Sequence, residues 1–245
     1  MQSALARSSI PGRWLQTRRE AAGLVSRALP FILSVIGGST DIIGFLGLNG
    51  LFTAHVTGNI VIIAAHVIAG ERTMLSAILA VPVFMLVVFS ARLLAGRIER
   101  ALAALLLVQL LALLGFLAVG TAAGPWTDAD SVLGIIAGMF GVAAMAVQNA
   151  LVQIALKDTP ATAVMTTNVA HFMVDIAEIL VRRDAAARAN AGRRAARTLP
   201  VLLGFVSGCG LGAALDAAAG LWSLALPAGL ALVAFAIGLA QELPP

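Results

Sequence analysis

Asn168, His171, Asp175 and Glu178 fall at i, i+3, i+7 and i+10 in an otherwise apolar run, which on a helix makes one polar stripe. A stripe with three ionisable groups cannot face lipid; it must face other helices or water. A second set lies earlier in the chain. His55, Asn59 and His66, at i, i+4 and i+11, share one helix face, with Thr57 among them. Thr40 and Asp41 follow Gly37-Gly38, and Gln148, Asn149 and Gln153 sit in a further apolar run. Such groups are open to three kinds of work. Titratable His and Asp suit proton-coupled movement of a solute, because His changes charge near neutral pH. The His/Asp/Glu stripe could serve acid–base chemistry in a membrane-embedded enzyme. Amides, hydroxyls and imidazoles also join helices by hydrogen bonds worth under about 1–2 kcal/mol each. The spacing of His171, Asp175 and Glu178 permits a metal with His55 or His66, but nothing demands one. No metal and no cofactor is expected. A phosphate-cradling loop with its Lys, H-E-x-x-H and G-x-S-x-G are all absent.

The elements that position these residues follow from composition. Of 245 residues, 60% are hydrophobic and 11% are charged, against roughly 25% charged in a soluble domain. Eight apolar segments are expected: Leu24–Leu48, Leu51–Ala69, Met74–Ala95, Ala101–Gly120, Ser131–Leu156, Ala161–Val181, Leu199–Leu215 and Leu221–Ala240. Runs of about 20 apolar residues span a bilayer as helices. They are too long and too rich in Leu and Ala for barrel strands. Gly204-x-x-x-Gly208 and Gly134-x-x-x-Gly138 are expected to let helices approach closely. The single Cys209 excludes a disulfide framework and is expected to be a small buried hydrophobe, and Asp216 is expected at the membrane boundary.

Fifteen of the 16 basic residues are Arg, gathered mostly beside apolar runs, as the positive-inside rule describes. With no Tyr and no basic–aromatic interleaving, nucleic-acid binding is excluded. Residues 1–27 are expected to be a basic cytoplasmic tail, and residues 28–245 a single membrane domain. Eight full crossings would leave 12 basic residues inside and four outside. A second arrangement fits better: segments one and two together make one net crossing, and so do segments five and six. All three Arg clusters are then cytoplasmic, 14 residues in all, with Arg72 outside and the Gly124–Asp130 loop external.

An internal repeat supports a two-half design. Ala54-His55-Val56-Thr57-Gly58-Asn59 aligns with Ala163-Val164-Met165-Thr166-Thr167-Asn168 at an offset of 109, and Thr40-Asp41 falls near Gln148-Asn149 at an offset of 108. The expected pseudo-repeats are 28–120 and 131–240. Three net crossings in each would make them inverted, with a site between them at the midplane. At that offset Asn59 pairs with Asn168 and His66 corresponds to Asp175, so the polar faces are expected to converge. The alternative is that each helix packs its polar face within its own half.

At Gly38-x-x-Asp41-x-x-Gly44-Phe45, followed by Phe52-Thr-Ala-His55-Val-Thr57-Gly58-Asn59, the chain resembles the YoaK-like family of bacterial multi-pass membrane proteins of unknown function. Gln148-Asn149-Ala150, Pro160-x-Thr162 with Thr166, and the loop Ala91-Arg92-Leu-Leu-Ala-Gly96-Arg97 also look like that family. The resemblance runs from about Pro30 to Ala240. It implies a multi-pass inner-membrane protein and names no substrate.

The expected protein is thus all-α: a polytopic transmembrane helix bundle of six net crossings, with a broken or re-entrant helix in each of two pseudo-repeats. Eight spanning helices are the alternative. Its expected location is the bacterial inner membrane, with a cytoplasmic N-terminus. The leading function is a small-molecule or ion transporter or channel. Its pathway would draw on Asp41, His55, Thr57, Asn59, His66, Gln148, Asn149, Asn168, His171 and Asp175. The alternatives are a membrane-embedded enzyme and a non-catalytic structural or regulatory protein. The expected partners are the lipid bilayer and an unidentified small molecule or ion; a homo-oligomer is also compatible with the sequence.

Overall fold

A computed structural model describes residues 11–71, 74–124 and 130–242, with 11–27 and 123 as backbone alone. Eight α-helices account for almost all of it: α1 Pro11–Gly47, α2 Val56–Ala69, α3 Leu75–Ala95, α4 Ala101–Ala123, α5 Val132–Ala155, α6 Thr166–Val181, α7 Ala185–Ala219 and α8 Ala225–Glu242. A short 3-10 turn, Gly220–Leu224, separates α7 from α8. Five stretches are long and apolar enough to cross a membrane: Ala28–Gly47, Leu75–Ala95, Ala101–Ala122, Val132–Ala155 and Ala185–Glu242, the last containing both α7 and α8. The protein is a polytopic helical membrane bundle. α2 has 14 residues and α6 has 16. At 1.5 Å per residue these reach only about 21–24 Å, short of the roughly 30 Å hydrocarbon core.

Contact registers give the helix directions. Gly204, Gly208 and Gly212 of α7 lie against Phe31, Val35 and Ser39 of α1, stepping forward together, so α1 and α7 are parallel. The Gly204-x-x-x-Gly208 expectation is met there, backbone against backbone, as small residues allow. Gln148 meets Leu33 while Gly138 meets Leu48, which sets α5 antiparallel to α1. Gln109 meets Gln148 while Phe116 covers Gly141, which sets α4 antiparallel to α5. Gly120 lies by Leu224 and Gly238 by Leu106, so α8 returns antiparallel to α4.

Two ends result. One gathers the end of α1, the α2–α3 connection and the start of α5, where Leu75 N–H donates to Asp130 Oδ1 at 2.8 Å. The other gathers the Arg92–Arg100 loop, the Arg182–Arg197 stretch and the start of α1. There Glu242 accepts from the Leu102 and Ala103 N–H groups at 3.0 and 3.2 Å. Between the ends, α1 with α2 makes one net pass and α5 with α6 makes another, so six net passes are formed rather than eight. Arg72, Asp128 and residues 1–10 of the expected tail lie outside the described residues.

Residues 11–27 form the first turns of α1, and Arg188, Arg193, Arg194 and Arg197 ride on the first turns of α7. α1 runs unbroken through Gly37-Gly38 rather than breaking there. These glycines instead admit neighbours: a Cβ on Gly37 would come within 2.7 Å of the Thr162 carbonyl oxygen, and one on Gly38 would strike the Phe205 carbonyl.

The shared end makes a direct prediction. With Cys209 replaced by Ala, single cysteines at the exposed positions Glu99 and Ala189 should react with an impermeant thiol reagent from one side of a sealed membrane. One at the exposed Glu71 should react from the other side. Glu99 and Ala189 labelling from opposite sides would overturn the arrangement.

Candidate functional site

α1 stops at Leu48-Asn49-Gly50, where Asn49 (φ 51°) and Gly50 (φ 94°) take left-handed backbone and the Gly50 N–H caps the Phe45 carbonyl at 2.8 Å. The chain then reverses, and the non-helical segment Leu51–His55 lies back along the last turns of α1. Non-helical backbone at this depth needs partners, because lipid offers none. Asp41 supplies them. Its Oδ1 accepts from the N–H of Thr53 (2.9 Å) and of Ala54 (2.7 Å) and from the Thr53 hydroxyl (3.3 Å). Its Oδ2 lies 2.5 Å from His55 Nδ1. Asn59, one turn into α2, closes the segment from the other side. It donates Nδ2–H to the Phe52 carbonyl (2.8 Å) and accepts the Phe52 N–H at Oδ1 (3.0 Å). Asp41 and Asn59 are buried, and His55 is half-buried at the N-cap of α2.

The second half does the same with different side chains. After α5 the chain runs back as 156–165. Gln148 Nε2 donates to the Thr162 hydroxyl (2.9 Å) and the Leu33 carbonyl (2.8 Å), and Gln148 Oε1 accepts from Gln109 Nε2 (2.7 Å). Asn168 Nδ2 donates to the Ala161 carbonyl at 2.6 Å. Asn59 to Phe52 and Asn168 to Ala161 are the same bond, from a side chain to a carbonyl seven residues back. Gly37 and Gly141 give the two non-helical segments room against both α1 and α5.

Six of the ten expected site residues are divided between two places. Asp41, His55 and Thr57 line a cleft of about 620 Å³ between α1, α2 and α7, walled by Phe45, Phe52 and Phe205. The His55 ring stands edge-on to Phe52 and to Phe205, both 5.9 Å away between centroids. Asn168, His171 and Asp175 line adjoining clefts beside α7 at the Arg-rich end. Asn149 turns onto its own helix, donating to the Met145 carbonyl at 2.9 Å.

The expected convergence of the two polar faces is corrected. His66 sits near the end of α2 beside Glu71, at 3.7 Å. Asp175 sits at the opposite end of the bundle, in an ion pair with Arg194 at 2.6 Å. Asn59 and Asn168 each close a turn within their own half. Asp41, Asn59 and Asn168 pair backbone of their own half, while Gln148 also bonds across to Gln109 and Leu33 of the first half.

The stripe on α6 also changes character. Arg194 binds both Asp175 and Glu178, the latter at 2.9 Å, so these carboxylates hold a guanidinium rather than standing free for acid–base work. Among the described residues no three His, Cys, Asp or Glu side chains converge as a metal would require. Asp216 is buried within the protein beside Gly47, at the level where the candidate span of α1 ends.

Several contributors escaped the sequence reading. Phe45, Phe52, Phe205 and Cys209 wall the first cleft; Cys209 is only half-buried, with its Sγ 3.5 Å from the Gly38 carbonyl. Aromatic and thiol groups in apolar runs carry no signal that separates a cleft wall from core. Gln109 did carry one, as the one polar side chain between Ala101 and Gly120. Arg194 was legible only as part of a charge cluster.

No curated protein and no solved structure shows a match to this chain. One family profile does, described as "protein of unknown function (DUF1275)", across residues 29–237. That span takes in both non-helical segments, both asparagine clasps and the Asp41–His55 pair, and the chain belongs to the DUF1275 family.

Proposed function

We propose that the protein is a small-molecule or ion transporter whose binding site is the cleft between α1, α2 and α7. The observation that carries this is the double duty of Asp41. One carboxylate oxygen holds the re-entrant segment by its backbone, and the other meets His55 within a cleft of about 620 Å³. A proton or a solute that takes over Asp41 competes with the bonds that position α2. Binding is thereby coupled to movement of a short helix that does not span the bilayer alone. The volume is in the range of small-molecule sites, roughly 300–1,000 Å³. Phe45, Phe52, Val61 and Phe205 favour a compact solute with an apolar or aromatic body and one donor or cationic group for Asp41. The halves 28–120 and 131–240 act as inverted pseudo-repeats in this reading, each with a clasped segment at depth. The Arg excess supports reading the Arg-rich end as the cytoplasmic face, in a bacterial inner membrane.

The test is proton flux in proteoliposomes carrying a trapped pH dye. Small aromatic amines, zwitterions and neutral amides are added in turn. At least one class should drive a pH change with the wild type, and the change should vanish with Asp41→Asn and His55→Ala. Flux that survives Asp41→Asn, or no flux with any class, would overturn the proposal.

A further inference from the structure

At the Arg-rich end a cleft of about 520 Å³ opens between α1, α7 and the loop before Ala161. Exposed Arg193 and Arg197 stand at it; half-buried Pro30, Pro160 and Pro200 and buried Val201 lie within it. Asp158 also lines it. The charges there differ in fate. Arg194, next door, is spent on Asp175 and Glu178. Arg193 donates to the neutral side chain of Asn190. Arg197 lines both this cleft and the adjoining one of about 410 Å³, and has no hydrogen-bond or ion-pair partner among the described residues. Two guanidinium groups thus face a single carboxylate, Asp158, and the balance is positive.

Depth identifies what such a cleft fits. The candidate span of α1 begins at Ala28, and the sequence of α7 turns continuously apolar at Leu199, after its last Arg. By that change of composition Pro30, Pro200 and Val201 fall on the apolar side, and Arg193 and Arg197 on the polar side, where headgroups lie. A basic lip over an apolar interior matches a molecule with a phosphate at headgroup level and acyl chains below. Basic clefts between helices at this level take anionic headgroups, and Arg suits phosphate by its planar fork of donors.

We propose that the cleft between Pro30, Arg193, Arg197 and Pro200 holds the headgroup phosphate of an anionic phospholipid. The lipid ties the first turns of α7 to α1 and to the loop that leads into α6. The site is independent of the Asp41 cleft and requires no transport activity.

The experiment is thermal unfolding of the purified full chain in mild detergent, with phosphatidylglycerol, phosphatidylcholine or inorganic phosphate added. A ligand of the folded state raises Tm by mass action. Phosphatidylglycerol should raise Tm clearly more than phosphatidylcholine at equal mole fraction. Arg193→Gln/Arg197→Gln should weaken its apparent affinity by about tenfold or more, the loss of about 1.4 kcal/mol expected for removing charge-assisted bonds. Arg197→Lys should retain part of the effect, and Arg183→Gln, outside the cleft, should retain all of it. Gel filtration shows that each variant is folded, which the exposure of these side chains favours. A wild-type shift in the double variant, or an equal shift with phosphatidylcholine, overturns the proposal. A shift reproduced by millimolar inorganic phosphate alone also overturns it, making the occupant a soluble phosphate.

Discussion

Asp41→Leu should destabilise the folded protein by about 3–5 kcal/mol, while Asp41→Asn should cost about 1–2 kcal/mol. Leu removes the acceptor for two buried backbone N–H groups, Thr53 and Ala54, and for the Thr53 hydroxyl. Each buried donor left without a partner costs roughly 1–3 kcal/mol, and lipid supplies no substitute. Asn keeps a carbonyl oxygen where Oδ1 stands, so the non-helical segment stays anchored, and it changes only the contact with His55. Thermal unfolding in detergent, with gel filtration as a check on aggregation, separates the two. The ordering matters as much as the size. If Leu is tolerated as well as Asn, the carboxylate does not hold the re-entrant segment, and its coupling to α2 fails with it.

The second large effect is expected at Gly208. A Cβ placed there would strike the backbone of α1 at Val35, meeting its carbonyl oxygen, Cα and C together. Backbone cannot swing aside as a side chain can, so α1 and α7 must separate. The seam they share is built from Gly204, Gly208 and Gly212 against Phe31, Val35 and Ser39, and one enlarged residue opens its middle. Gly208→Leu should cost about 3 kcal/mol or more, at or beyond the usual range for overpacking, and should abolish a monodisperse peak in gel filtration. Gly210→Leu, two residues away with nothing within 4 Å of its Cβ position, is the control and should behave as wild type. Equal behaviour of the two variants would mean that α1 and α7 do not meet along this seam.

The class of the protein was readable from its residues because lipid imposes a one-dimensional rule. Apolar length against bilayer thickness separates spanning helices from short ones. Arg placement separated six net passes from eight, since charge clusters resist being split across a membrane. The polar residues in apolar runs were readable as a set for the same reason: each is costly in lipid and must be buried in protein. The repeat at offset 109 was readable too, and the structure closes the same seven-residue bond at Asn59 and at Asn168.

What each polar residue binds was decided only by the tertiary structure. Asp41 could have stood unpaired in a cavity; it caps a returning segment because α1 ends at Asn49-Gly50 and the chain folds back on it. His66 and Asp175 correspond in the repeat, yet lie at opposite ends, because the two short helices run toward opposite ends of the bundle. The α6 stripe looked like a pathway, but α7 brings Arg194 onto it, a contact across 19 residues that no helical periodicity encodes. Periodicity and hydropathy report how one segment meets its solvent. Pairing between segments depends on where the chain turns and which backbone is left unsatisfied there, and that is a property of the assembled bundle.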